Sequence, residues 1–223
     1  MPPEPAINFV HLPPALAGGG LSFVLEASRR ATPVVLGALA PLFLEGDRRL
    51  YVADGANCFD PYAFSHEARR RGVGEDVLDR VFVTRCFTIH QLAAVTAELM
   101  PPLLGENPPA AMAVLGLDHL FLEESLRAAE RSRVLARVMA DLAGLRGGGA
   151  RLLVTHEAPP RGQGWWRPML EFGDVRARAI RRDDGDWKMR IERCPDGTNA
   201  ADFQHLAPGG DRLLEGLSPG PEG

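Results

Sequence analysis

Residues 23–32 read F-V-L-E-A-S-R-R-A-T and join an apolar run to a helical pattern. The run at 21–25 predicts a buried strand, and apolar residues recur at helical spacing from 34 to 44. Pro33 stands between them, at a position that the first turn of a helix tolerates. This order of strand, tight turn and helix is typical of the start of an α/β domain.

The same junction is where nucleotide-binding proteins place the phosphate loop G-x-x-x-x-G-K-[ST]. Its glycines let backbone N–H groups surround the phosphates, its lysine reaches the β- and γ-phosphates, and its hydroxyl holds Mg²⁺. Here Leu25 and Arg30 fall at the two glycine positions. Ala31 falls at the lysine position, and only Thr32 matches the motif. The chain's single lysine is Lys188, so no nearby lysine can replace the missing one.

Two arginines of this stretch, Arg29 and Arg30, could supply positive charge in place of the lysine. Arginine binds phosphate well, yet its bulk at the second glycine position obstructs the close approach of the backbone on which the loop depends. We therefore expect little or no ATP hydrolysis and weak ATP binding. No cofactor is expected, ATP with Mg²⁺ being the alternative.

Strand and helix patterns alternate along the rest of the chain. Predicted strands lie at 50–53, 81–84, 112–117 and 151–155, and predicted helices at 61–72, 89–99 and 126–145. This alternation predicts an α/β doubly wound, mainly parallel sheet flanked by helices. Residues 158–174 read as a loop. Alternating stretches at 175–182 and 187–193 flank D-D-G-D and predict a C-terminal antiparallel hairpin.

The length of 223 residues suits one core, and we interpret 14–207 as one domain between an arm at 1–13 and a tail at 208–223. The net charge of −4 argues against wholesale electrostatic binding to nucleic acid but leaves room for a local basic patch. The three cysteines are widely spaced, and no segment has the pattern of a signal peptide or a membrane span. We expect a cytoplasmic protein without a membrane partner.

Five stretches of the chain stand in an order that resembles the order of motifs in a known protein family. They read G-G-G-L-S-F-V-L-E at 18–26, Y-V-A-D-G-A-N-C-F-D-P at 51–61, D-R-V-F-V-T-R-C-F-T-I-H-Q-L at 79–92, A-V-L-G-L-D at 113–118 and L-L-V-T-H-E at 152–157. Together they resemble the RecA-like recombinase core, closest to its Rad51, RadA and KaiC-like branch, over about residues 14–205. The stretch at 79–92 is the most specific. The resemblance implies a RecA-like fold.

The resemblance also assigns positions of an ATP site. Asp118 would stand at the Walker B position, which assists Mg²⁺, and residues 155–157 would replace the usual polar sensor pair. Ala56 would stand where active relatives carry the glutamate that activates water. A degenerate nucleotide site would then comprise Arg29, Arg30, Thr32 and Asp118. Since the lysine and the glycines are missing, the phosphates would lack both their cation and their N–H cradle.

A second candidate site is the loop R-G-Q-G-W-W-R, which the resemblance places at the second DNA-binding loop of recombinases. Its relevant residues are Arg161, Trp165, Trp166 and Arg167. Aromatic rings stack on unpaired bases and arginines contact phosphates, which favours single-stranded DNA. Tryptophan and arginine are equally typical of protein interfaces, and the alternative is a partner surface or a core contact.

Acidic and imidazole side chains are expected near the carboxyl ends of several strands. They are Asp54, Asp118, His119, His156 and Glu157. Such a group could bind a divalent metal ion. The alternative is that these side chains are hydrogen-bonded at the strand ends, and the absence of a tight ligand spacing favours it, so no metal site is predicted.

These observations predict a catalytically inactive RecA/Rad51-like accessory protein in DNA recombination or repair. It would bind a protein partner, such as an active RecA-like paralogue or a second copy of itself, and single-stranded DNA as a further candidate. Two alternatives stay open: an unconventional nucleotide- or metal-dependent hydrolase, and a KaiC-like signalling module.

Overall fold

The computed structural model describes residues 20–99, 101–102, 110–122, 127–157, 167–181, 187–193 and 202–203. The predicted arm at 1–13, the predicted tail at 208–223, and residues 161–166 of the second candidate site lie outside the described residues. Within the described part of the chain, no helix combines the length and the apolar character needed to cross a membrane.

Strands and helices alternate as the sequence predicts. The strands are β1 (Leu21–Glu26), β2 (Leu50–Asp54), β3 (Val81–Arg85), β4 (Ala111–Leu115), β5 (Arg151–His156), β6 (Val175–Arg181), β7 (Trp187–Arg193) and β8 (Asp202–Phe203). The α-helices are α1 (Thr32–Phe43), α2 (Pro61–Arg70), α3 (Ile89–Ala94), α4 (Leu117–Phe121), α5 (Ala128–Gly147) and α6 (Arg167–Phe172). A 3-10 helix at Glu75–Arg80 precedes β3, and a π-helical turn at Val95–Leu99 follows α3.

The strands form one sheet in the order β3-β2-β4-β5-β1-β6-β7-β8. The first six strands of this order are parallel, from β3 across to β6. The last two pairings, β6 with β7 and β7 with β8, are antiparallel. The prediction of an α/β doubly wound, mainly parallel sheet flanked by helices is confirmed. The turn that would join β6 and β7 into the predicted hairpin lies outside the described residues.

Apolar cores lie on both faces of the sheet, as expected for parallel strands that read as continuous apolar runs. Successive side chains of β1 point to opposite faces, so that Phe23 and Leu25 join one core and Val24 joins the other. The first core is covered by α1 and α2, and the second by α3, α4, α5 and α6. Burying each large aliphatic or aromatic side chain contributes roughly 1.5–3 kcal/mol.

Helices α1 and α2 approach each other closely where α1 has a glycine. A Cβ atom added at Gly37 would lie 2.6 Å from the main-chain oxygen of Phe64 and 2.9 Å from Cβ of Glu67. The start of α2 is fixed by Asp60, whose carboxylate accepts hydrogen bonds from the first-turn amides, and by Pro61 in the first turn. The glycine therefore sets the spacing of the two helices on this face.

Two local predictions are wrong. The strand expected at 112–117 ends at Leu115, because Gly116 turns the chain with φ of +62° and α4 begins at once. A Cβ atom at Gly116 would lie 2.2 Å from Cβ of Ala56, so this turn packs against the loop that follows β2. The loop expected at 158–174 contains helix α6, which places Arg167 in a helix instead of a loop.

Two glycine-to-alanine variants test the close approach of α1 and α2. Gly144 lies in α5 with nothing within 4 Å of an added Cβ atom, so Gly144→Ala is expected to raise the free energy of unfolding by about 0.5–1 kcal/mol through helix propensity. Gly37→Ala gains the same propensity but is expected to lower the free energy by about 1–3 kcal/mol, because α2 must shift. Urea unfolding measures both, and two stabilising variants would refute the packing argument.

Candidate functional site at the carboxyl edge of the sheet

Four neighbouring strands bring the predicted site residues to one edge of the sheet. Strands β2, β4, β5 and β1 are adjacent and parallel, so their carboxyl ends lie side by side. The loop after β1, the start of α4 and the residue after β5 therefore meet there. Ligands of doubly wound sheets bind at such an edge.

The loop after β1 is a tight turn whose amides bond within the loop. The main-chain oxygen of Ser28 accepts hydrogen bonds from the amides of Ala31, at 2.9 Å, and Thr32, at 3.0 Å. The hydroxyl of Thr32 donates to the same oxygen at 3.0 Å, and Thr32 is buried. None of residues 27–31 has a positive φ, whereas a concave nest of N–H groups alternates right- and left-handed residues. The loop accordingly offers no phosphate cradle.

Neighbouring strands accept the remaining described amide bonds of this loop. The amide of Ala27 donates to the main-chain oxygen of His156 at 2.7 Å, which continues the β1–β5 ladder beyond the last paired residues. The amide of Arg29 donates to Oε1 of Glu157 at 3.1 Å. A carboxylate of the protein itself thus occupies a position at which a phosphate loop would hold its anion.

The two arginines of the loop are exposed, and they differ in their contacts. The guanidinium of Arg29 donates to the main-chain oxygen of Ala56, so its side chain turns away from the loop towards the end of β2. The structure gives Arg30 no side-chain hydrogen bond or ion pair and places it at the loop surface. The predicted group of Arg29, Arg30 and Thr32 does not converge on a common point, because the Thr32 hydroxyl faces the interior.

Asp118, the predicted Walker B residue, lies in α4 and is 4% exposed. Its Oδ2 accepts a hydrogen bond from the amide of Glu157 at 3.1 Å, and its Oδ1 is buried without a hydrogen-bond partner. Burial raises the pKa of this carboxyl, and the charge of Glu157 raises it further against the opposing hydrogen bonds. Asp118 is therefore a buried acid that is only half satisfied.

The carboxylate of Asp54 lies at the same edge, but both of its oxygens have hydrogen-bond partners. Its two carboxylate oxygens accept hydrogen bonds from the amides of Cys58, at 3.0 Å, and Phe59, at 2.9 Å. The carboxylate thus satisfies the turn that follows β2. Burial, helped by the charge of Asp54, raises the pKa of the Cys58 thiol to about 12 and that of Cys86 to about 11, so both thiols stay protonated at neutral pH.

The predicted sensor residues are bound into the sheet edge. The hydroxyl of Thr155 accepts a hydrogen bond from the amide of Gly116 at 2.9 Å, and both groups are buried. Burial lowers the pKa of His156 to about 4; the hydrogen bond to the Glu157 main-chain oxygen opposes the shift, and the charges of Arg176 and Arg178 add to it. His156 is therefore neutral at physiological pH, and its side chain is not exposed to a ligand.

The possible metal ligands do not converge. Across the part of the chain that the structure describes, no group of three or more His, Cys, Asp or Glu side chains could hold a metal ion. His119 is exposed at the surface of α4, whereas His156 is buried under the β5 end. The second candidate site, with Arg161, Trp165 and Trp166, lies outside the described residues, so the choice between DNA and a partner stays a prediction.

A cleft at this edge was missed by sequence reasoning. Its volume is about 500 Å³, and it lies beyond the ends of β2, β3 and β4. Its lining includes Arg29, Asn57, Phe87, His119, Leu120 and Leu122. The D-G-A-N turn after β2 was the available signal, but a turn pattern does not reveal which helix it will face.

Comparison with known proteins adds no relatives, since no protein-family model matches the sequence and no curated protein matches it either.

A pair of aspartate variants tests the difference between the two buried carboxylates. Asp118→Asn is expected to raise the urea midpoint at pH 7, because it removes a charge that burial disfavours and keeps an oxygen for the Glu157 amide. The pKa of Asp118 is raised in the folded state, so the folded wild type takes up a proton as the pH falls and becomes more stable relative to its unfolded state. The advantage of Asp118→Asn over the wild type is therefore expected to shrink at lower pH.

Asp54→Asn is the matched control. It loses one of the two amide bonds that its carboxylate oxygens accept, and we expect a loss of about 1–3 kcal/mol in the free energy of unfolding at pH 7. If Asp118→Asn destabilises the protein at pH 7 to the same extent, the carboxylate of Asp118 has a stabilising role and our interpretation of it is wrong.

Proposed function

We propose that this chain is a catalytically inactive, RecA/Rad51-like accessory protein that acts in the cytoplasm in DNA recombination or repair. One observation above all supports the proposal. Amides of the loop after β1 donate their hydrogen bonds to oxygens of Ser28, His156 and Glu157. An ATPase needs such amides and a nearby lysine for the phosphates. The described loop after β1 offers neither, and Ala31 stands at the lysine position. The protein would then act by binding, without turnover.

The RecA-like assignment is supported by the arrangement of three strands. Those that the resemblance assigns to the phosphate loop, the sensor and Walker B are β1, β5 and β4, and they are consecutive neighbours in the sheet. Their loops would meet around a nucleotide in an active relative. In this chain the same edge is closed by internal hydrogen bonds, which supports a retained fold with lost chemistry.

Protein binding is supported by the outer strand β3. Phe82 is 45% exposed and Val83 is 41% exposed, although both belong to a strand. Phe82 stacks on Tyr51 with ring centroids 5.1 Å apart, so its ring is held in place for contact from outside. The outer edge of β3 has no strand partner among the described residues, and such an edge is a template for strand addition. We assign this edge to self-association or to an active RecA-like paralogue.

Binding of single-stranded DNA is supported by the register of β6 and β7. Two facing pairs each place an arginine opposite an arginine, Arg176 with Arg193 and Arg178 with Arg190. Lys188 stands on the same strand, opposite Ile180. Like charges directly opposite each other are destabilising in a free sheet, and an anionic backbone would relieve that repulsion. Glu26 and Glu192 contact Arg178 at 3.2 and 3.3 Å and offset part of the charge.

Calorimetry with ATP and Mg²⁺ tests the loss of nucleotide chemistry. The full chain is titrated with ATP up to about 1 mM, the upper end of common Michaelis constants, and phosphate release is followed in parallel. We expect neither heat nor phosphate, because no phosphate cradle is available. Micromolar affinity for ATP or any sustained phosphate release would refute the proposal and favour the unconventional hydrolase.

The loop at 161–167 is tested with labelled oligo-dT and fluorescence anisotropy. The double variant Trp165→Ala, Trp166→Ala is expected to weaken binding by about 1–3 kcal/mol for each stacked base, and the wild-type affinity should fall with salt. Trp187→Phe is the control, since Trp187 packs against the core. Unchanged affinity of the double variant would exclude this loop from DNA binding and favour its use as a protein interface.

A further inference from the structure

The geometry points to a binding site for a small aromatic anion in the cleft beyond β2, β3 and β4. We define this cleft by Arg29, Asn57, Phe87, His119, Leu120 and Leu122. Its volume of about 500 Å³ lies within the usual range of small-molecule sites. The site uses none of the amides of the loop after β1, and the inference does not depend on a role in recombination.

The apolar part of the cleft contains a ring that the fold does not cover. Phe87 is 68% exposed, although it lies only two residues beyond β3 and the buried Cys86 precedes it. Leu120 is buried beneath the cleft, and Leu122 is 40% exposed at its side. An aromatic ligand that stacks on Phe87 and covers Leu122 would remove this apolar surface from water, which favours binding.

The polar part of the cleft contains a guanidinium that is already oriented. One N–H group of Arg29 donates to the main-chain oxygen of Ala56, and a guanidinium has five N–H donors. The remaining donors form the planar fork that binds a carboxylate, sulfonate or phosphate through two parallel bonds. The carboxylate of Glu157 accepts a hydrogen bond from the main-chain amide of Arg29, and this bond leaves the guanidinium donors available.

Asn57 adds a second polar group, placed by a left-handed turn of the backbone. It is exposed and has φ of +50°, the only positive φ of a non-glycine residue in the described part of the chain. The neighbouring carboxylate of Asp54 fixes this turn through the amides of Cys58 and Phe59. Asparagine adopts this conformation more readily than other non-glycine residues, and its exposed side-chain amide can bond an anion or a ligand carbonyl.

His119 completes the polar end, since it is exposed on α4 on the side of the cleft. The cleft then combines one permanent cation, one imidazole and one amide with a stacking ring and two leucines. This combination matches a ligand with a planar ring and a single anionic group. A highly charged triphosphate fits less well, because Arg29 is the only permanent cation among the described residues of the lining.

The test uses two fluorescent probes that differ in charge. The first is 8-anilinonaphthalene-1-sulfonate, a ring system with one sulfonate, and the second is N-phenyl-1-naphthylamine, the same rings without it. Titration of the full chain is expected to give one saturable site for the sulfonate. Arg29→Met should weaken its binding about tenfold or more and leave the neutral probe unchanged, because the charge-assisted bonds are lost.

Matched controls are available next to each residue. Arg30→Met removes the adjacent exposed arginine, which does not line the cleft, and should change neither probe. Phe87→Ala should weaken both probes severalfold, whereas Phe82→Ala should weaken neither, because Phe82 is exposed on β3 but does not line the cleft. The urea midpoint of each variant checks that its fold is intact.

The outcomes separate this inference from the proposed function. Equal losses in Arg29→Met and Arg30→Met, or no saturable binding of the sulfonate, would overturn the aromatic-anion site and leave the accessory role as it stands. Displacement of the sulfonate by micromolar ATP with Mg²⁺ would support the cleft as a site and overturn the claim that nucleotide binding is lost.

Discussion

The hydrogen-bonded ladder between β1 and β5 is the constraint on which the site depends. It pairs all six residues of β1 and continues through the amide of Ala27 to the oxygen of His156. The extended backbone therefore persists into the loop, and only five residues separate the end of β1 from the start of α1 at Thr32. Because the amides of Ala31 and Thr32 close on Ser28, the chain turns into the helix without opening around an anion. The side chains at 25, 30 and 31 and the closed geometry of the loop both work against a phosphate cradle.

Burial at the carboxyl edge separates polar groups that stabilise the fold from groups that do not. Asp54 and Thr155 each bond backbone amides, so their burial costs little. Asp118 leaves one buried oxygen without a partner among the described residues, which is an expensive arrangement for a charged group. The raised pKa of this carboxyl has the same cause, since burial disfavours its charged form.

The sequence was sufficient for the fold class because strands of a parallel sheet are buried on both faces and read as continuous apolar runs. It failed where a single backbone angle decides the structure: Gly116 ends β4 two residues early and places Asp118 in a helix. The closed loop could be inferred from Leu25, Arg30 and Ala31, whose side chains do not suit a phosphate cradle. The contact of Glu157 with the Arg29 amide could not be inferred from the sequence, because 128 residues separate them and only the strand order brings them together. The cleft was not predicted for the same reason, since its lining residues are far apart in the sequence.

The closed loop after β1 limits what the carboxyl edge of the sheet can bind, but the edge itself remains. Parallel strands still end together, so their loops still form concave surfaces there. With the loop after β1 closed, the side chain of Arg29 is directed to the turn after β2, where Asn57 and Phe87 stand beside it in the cleft. The positive charge of this arginine is thereby held beside an aromatic ring and not over the loop after β1. Because a guanidinium recognises an anion through directed N–H groups, the chemistry open to this edge is set by the cleft and not by the closed loop.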